Sequence, residues 1–146
     1  TAHTLDDETQ TILLNMLHGD PLRIAREKPM TDQVHPKLVQ RIKPFCRIPE
    51  KETTLYAYTK GLFFQDMPCP YSSEAMRNDI RIFLNRMEQK HTSTKFTIFR
   101  SIQRIRPAIE DITKEDEMQQ CSRCGEPTTQ ITCRACQMLR QHQDKC

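Results

Sequence analysis

The sequence predicts a mostly α-helical chain with few short strands, closed by a compact cysteine-rich module at its C-terminal end. Three observations lead there. Apolar residues recur at helical spacing in four separate segments, prolines and the three glycines punctuate those segments, and four of the seven cysteines stand in two CxxC pairs. The 146 residues are 36% hydrophobic and 28% charged, with no Trp, and the mean hydropathy is −0.71. A single domain of this length buries about 68–70% of its unfolded surface, and this composition barely supplies such a core. No run approaches the ~20 apolar residues of a membrane span, and no basic-then-apolar leader opens the chain. Seven cysteines without a leader point to thiol or metal chemistry in a reducing compartment rather than to a disulfide scaffold.

Each element has its own signal. Asp6, Asp7 and Glu8 precede Ile12, Leu13, Met16 and Leu17, and Gly19 stops the pattern; acids in the first turn and Gly past the last are the polarity of a helix. Residues 21–36 hold three prolines and read as a loop. Leu38 to Phe45, with β-branched Val39 and Ile42, reads as a short strand. Pro49, Glu50 and Glu52 open a helix through Leu55 and Tyr58 to Gly61. Pro68 and Pro70 fix a loop around Cys69, and Ser72 or Ser73 can cap the next helix, with Met76, Ile80, Phe83, Leu84 and Met87 on one face. A further helix from about Thr94 turns Phe96, Phe99, Ile102 and Ile105 inward, and Pro107 ends it. The expected domains are 1–109, an acidic linker at 110–118, and the cysteine module at 119–146.

The net charge of +3 hides a partition. Residues 1–36 carry three basic and six acidic side chains, residues 37–109 fourteen and six, and residues 110–146 five and seven. A basic body of this kind attracts polyanions, nucleic acid first; an ordinary solvated face has the same look.

Cys121-x-x-Cys124 and Cys133-x-x-Cys136 lie eight residues apart. Each CxxC turn presents two sulfurs to one ion, and four thiolates satisfy a tetrahedral Zn²⁺. Gly125 follows the first pair, where a tight turn needs a permissive backbone. The tail therefore reads as a zinc ribbon that folds around its metal. Cys146 reads as a spare thiol.

At the other end, His3, Asp6, Asp7 and Glu8 crowd four ionisable groups into six residues. At a strand end entering a helix, such carboxylates could hold Mg²⁺ beside phosphates; equally, they could only complement the helix N-terminus. The segment from His3 to Asp20 resembles a signature of the tRNA 2-thiouridine synthetases, a branch of the PP-loop (N-type) ATP pyrophosphatases. Arg41-Ile42-Lys43-Pro44, Pro49-Glu50-Lys51-Glu52, Cys69-Pro70-Tyr71 and the Cys121 to Cys136 finger then follow in that family's order. The likeness spans essentially the whole chain. Thr4 replaces the family's usual Asn, His18 stands where Arg is common, and Cys46 has no counterpart.

The resemblance implies the C-terminal portion of an enzyme that is α/β as a whole. Its SGGxDS pyrophosphate loop, first zinc finger and central CxxC do not occur in this sequence, so this chain alone is expected to lack ATP turnover. The implied reaction adenylates the C2 oxygen of a tRNA uridine with Mg-ATP and replaces it with sulfur from a carrier protein or sulfide. Asp6 would be the catalytic acid beside the nucleotide, Asp7 its support, and His3 a residue orienting the site. Cys69 would be one of three ligands of a [4Fe-4S] cluster. Lys37, Arg41, Lys43, Arg100, Arg104 and Arg106 become candidates for tRNA phosphate contacts, with Lys51 and Lys60 weaker ones. The resemblance also implies a cytoplasmic homodimer. The alternative is a non-catalytic, zinc-containing RNA-binding or adaptor module on the same scaffold.

Overall fold

The computed structural model describes residues 1–65, 67, 76–113 and 118–143. Cys69 with its flanking prolines, Ser72, Ser73 and Cys146 lie outside the described residues. Among the described residues there are six helices and one two-stranded ladder: α1 (Leu5–Leu17), α2 (Pro21–Arg26), α3 (Glu50–Thr59), α4 (Met76–Lys90), α5 (Thr94–Ile112), β1 (Gln119–Gln120), β2 (Pro127–Thr128) and α6 (Arg134–Gln143). Packing divides them into two units. The first is Thr1–Thr31 with Arg41–Thr113, and the second is Asp32–Gln40 with Lys114–Cys146.

In the first unit α1 is fixed at both ends by its own sequence. Thr4 is the N-cap: Asp7 Oδ2 accepts its backbone N–H at 2.8 Å, and Thr4 Oγ1 accepts the N–H of Asp7 at 3.5 Å. This reciprocal capping box satisfies donors that every helix start leaves open. At the other end Gly19 takes φ +63, and the N–H groups of Gly19 and Asp20 turn back to the carbonyls of Met16 and Asn15 at 3.0 Å. Leu5 and Ile12 face inward and join Ile24, Cys46, Phe99 and Ile102 in one apolar cluster, against which Phe96, Ile98 and Ile109 pack. α1 packs on α2, α4 and α5, and α5 also on α2 and α4. The α4–α5 turn is closed by Glu88, whose carboxylate accepts the N–H of Ser93 at 2.7 Å and of Lys95 at 2.9 Å. Truncating Phe99, 2% exposed, would cost about 3–5 kcal/mol.

Four expectations need correction. The stretch after Pro21 is not all loop: Asp20 accepts the N–H of Arg23 at 2.9 Å and Pro21 takes the first helical position, so α2 forms and buries Ile24 and Ala25. The strand expected over Leu38 to Phe45 shrinks to a single bridge between Met30 and Ile42, and Val39 is fully in solvent with nothing to pair against. Pro107 does not end its helix: α5 continues to Ile112, because Ile109 packs on the same cluster as Ile102 and this burial outweighs one lost backbone bond. On α4 only Ile80 and Leu84 are buried, while Met76, Phe83 and, on α5, Ile105 are exposed.

The second unit is small. β1 pairs antiparallel with β2, Gln119 opposite Thr128 and Gln120 opposite Pro127, and α6 follows. No described helix is long and apolar enough to cross a membrane.

Candidate functional site

Two clusters of chemically able side chains stand out, one in each unit. In the first, α1 presents Leu5, Glu8, Ile12 and Asn15 along one buried stripe, which carries a carboxylate into the interior. Glu8 is 1% exposed. Its Oε1 and Oε2 lie 2.9 and 3.1 Å from Lys43 Nζ, and Lys43 also pairs with Glu27. Burial pushes the Glu8 carboxyl up to about 7; the hydrogen bond and charge of Lys43 hold it down only in part, and Glu27 adds repulsion. For Lys43 burial works against the charge, yet the hydrogen bonds from Glu27 and Glu8 prevail and raise it above the ordinary lysine value. Arg106 donates to Gln103 Oε1 at 2.7 Å and to the carbonyl of Glu27, and burial lowers its pKa. Burial and the nearby Glu8 raise the Cys46 thiol.

Asp6 is the second carboxylate that α1 turns inward. Its Oδ2 accepts the N–H of Glu50 at 2.7 Å, which ties it to the start of α3. Its Oδ1 pairs with Lys95 of α5, and Lys95 also donates to Asn85 Oδ1 of α4 at 2.6 Å. Asp6 thus ties α1 to α3 and α5, and Lys95 extends the network to α4. Asp6, Lys95 and Asn85 line a cleft of about 1010 Å³ whose apolar walls include Leu5, Tyr58 and Phe64. That size suits a small-molecule or nucleotide-sized ligand.

The sequence candidates separate accordingly. Asp6 reaches the cleft, whereas Asp7 is spent on capping Thr4. His3 is exposed, with Nδ1 3.0 Å from the Thr1 hydroxyl, and does not line the cleft. Lys43 and Arg106, expected to meet phosphates, are instead engaged internally: Lys43 pairs with Glu8 and Glu27, and Arg106 is buried and donates to Gln103 and to the Glu27 carbonyl. Arg41, Arg100 and Arg104 are exposed. Lys95 and Asn85 escaped sequence reasoning, since no spacing rule marks a buried lysine. Glu8 could have been found: it falls on the apolar stripe of α1, where an acid requires a cation.

In the second unit the Sγ atoms of Cys121, Cys124, Cys133 and Cys136 all lie within 4.8 Å of one another. Cys124 and Cys133 Sγ are 3.6 Å apart. The first knuckle is built by backbone bonds: Gly125, at φ +72, donates to the Cys121 carbonyl at 2.9 Å, and Cys121 donates to that of Glu126 at 2.9 Å. The N–H of Cys133 points at Cys121 Sγ at 3.2 Å. Amide donors from Cys133, Arg123 and Cys124 pull the Cys121 thiol down to about 6, whereas hydrogen bonding to Cys124 and burial drive Cys136 up to about 12. Four sulfurs this close cannot all ionise without a cation among them. The donor set and spacing are those of a tetrahedral thiolate site, in which Zn–S bonds of about 2.3 Å leave the sulfurs about 3.8 Å apart.

Comparison with known proteins decides the relationship. No family model matches the chain. It is 32% identical over 148 residues to tRNA 2-thiolation protein NcsA of Haloferax volcanii, an alignment covering 95% of this chain and 46% of that protein. The chain is similar over nearly its whole length to part of a tRNA 2-thiolation protein. It is also 34% identical over 139 residues to cytoplasmic tRNA 2-thiolation protein 1 of Schizosaccharomyces pombe, covering 95% of this chain and 42% of that one. A third relative is a tRNA-5-methyluridine(54) 2-sulfurtransferase of Pyrococcus horikoshii, 32% identical over 136 residues, covering 93% and 44%. The fold matches the U34-tRNA thiolase NcsA of Methanococcus maripaludis, solved with its [4Fe-4S] cluster, at a TM-score of 0.71 and 31% identity over 95% of this chain and 43% of that one. The chain spans less than half the length of the curated relatives it matches.

Proposed function

We propose that this chain is the C-terminal portion of a cytoplasmic, ATP-dependent tRNA 2-thiolation enzyme. The observation that carries the reading is alignment of nearly the whole chain with tRNA thiolation proteins, joined to a cleft that Asp6 enters. In the proposed reaction a uridine C2 oxygen attacks the α-phosphorus of Mg-ATP, pyrophosphate leaves, and sulfur from a carrier protein or sulfide then displaces AMP. Asp6 serves beside the nucleotide; Lys95 and the Glu50 N–H hold its carboxylate in place. Arg41, Arg100 and Arg104 meet tRNA phosphates, with salt-sensitive binding as the consequence.

The four-cysteine centre of the second unit takes Zn²⁺, and its task is to fold the tail. Cys69 is proposed as a ligand of an iron–sulfur cluster, which needs further thiolates from the family's central CxxC, absent from this sequence. When bound, such a cluster supplies an iron site for sulfur. The homodimer implied by the resemblance is part of the same proposal.

A second reading is favoured by one observation: both acidic candidates are already engaged inside the fold, Asp6 by Lys95 and Glu50 and Asp7 by Thr4. That suits a zinc-containing RNA-binding adaptor. The two are separated in cells by mass spectrometry of tRNA. Disrupting the gene should abolish 2-thiouridine at one tRNA position, with wild type restoring it and Asp6→Ala and Cys69→Ala failing to do so. Unchanged 2-thiouridine in the disruptant would overturn the enzyme reading; full restoration by both variants would favour the adaptor.

A further inference from the structure

We propose that residues 32–40 are a built-in limb of the four-cysteine centre, with Lys37 as its outer charge partner. The limb docks when metal is bound and lets go when it is removed. The inference rests on the metal reading above. Asp32–Gln40 packs with the C-terminal segment rather than with its sequence neighbours. Lys37 Nζ donates to the carbonyl of Gly125 at 3.0 Å, 88 positions away, and lies 3.9 Å from Glu126 Oε1. Both contacts fall on the turn that fixes the first knuckle, because Gly125 and Glu126 are the residues bonded to the backbone of Cys121.

The limb is shaped to deliver that lysine. The N–H of Leu38 donates to the His35 carbonyl at 3.0 Å, the N–H of Lys37 to His35 Nδ1 at 3.1 Å, and Gln33 Nε2 to the Leu38 carbonyl at 3.3 Å. Hydrophobic burial does not hold it, since Val34, Leu38 and Val39 are all exposed. Lys37 brings a charge to that contact. Four thiolates around one divalent ion leave a net charge of about −2 on the centre, and an ammonium on the adjoining turn offsets it, as outer partners of metal sites do. Without the ion, that attraction collapses to a half-exposed polar contact of little worth. Lys37, expected from sequence to meet phosphate, is therefore assigned to the metal module.

The test is amide hydrogen exchange on the full chain, zinc-loaded and chelator-treated, together with transfer of zinc to a coloured chelator. Chelation should speed exchange over residues 35–40, and Lys37→Ala should surrender zinc roughly tenfold more readily, the low end for outer-shell partners. Lys37→Arg should stay near wild type, and unchanged far-UV helix signal certifies folding of both variants. Equal exchange over residues 35–40 in the two states, or wild-type zinc retention by Lys37→Ala, would overturn the proposal. A chain that takes up no zinc would overturn the metal reading, and this inference with it.

Discussion

The two clusters invite comparison because both gather ionisable groups and only one is self-contained. In the first unit every inward carboxylate has its cation: Asp6 has Lys95, and Glu8 and Glu27 share Lys43. In the second unit four thiols meet only one another and backbone N–H groups. A balanced cluster can hold a fold together unaided; an unbalanced one is a request for an ion. The difference teaches that charge inventory, more than residue type, separates a structural network from a binding site.

The comparison breaks most violently at the cysteines. Cys121→Ser removes one ligand of four, and with it most of the on the order of 10 kcal/mol that metal binding lends to folding so small a module. The tail should lose protease resistance while the α1–α5 unit keeps its helical circular dichroism. In the first unit the effect is smaller but still large. Asp6→Asn strands the Lys95 ammonium, which is 8% exposed, and should cost about 3–5 kcal/mol in urea unfolding. Adding Lys95→Met to Asp6→Asn should recover part of that loss. If the double variant is no better than the single, Asp6 stabilises through the Glu50 N–H alone.

The subtlest test sharpens the first cluster through pH. Glu8 titrates near 7 in the folded chain, against about 4.5 for a free glutamate. Between those values the folded state binds a proton that the unfolded state has released, so stability falls as pH rises from about 4.5 to about 7. The drop is on the order of 3 kcal/mol. Glu8→Gln should flatten that slope, read as urea midpoints across the window. Lys43 acts elsewhere: its raised pKa gives stability that is present below the ordinary lysine range and lost only above it.

Much of this was legible in the sequence, and the failures have physical causes. Gly19 and the acids of α1 marked its two ends because capping chemistry is local, and the CxxC pairs announced their cluster because ligand spacing is local too. Lys95 was illegible, since its partner lies 89 positions away. Lys43 and Arg106 look like any basic surface residues until packing turns them inward. Pro107 misled for the same reason: a local rule for ending helices met a tertiary contact at Ile109 that overrode it.

If the four-cysteine cluster is a metal centre, the second unit depends on the ion and the first does not. Metal content, reactive-thiol count and circular dichroism on the full chain, taken before and after EDTA, read both at once. One zinc per chain, four additional reactive thiols after chelation, and retention of the helical signal of α1, α4 and α5 are expected. A zinc-free chain whose tail is folded, or a thiol count that EDTA leaves unchanged, would contradict the metal reading.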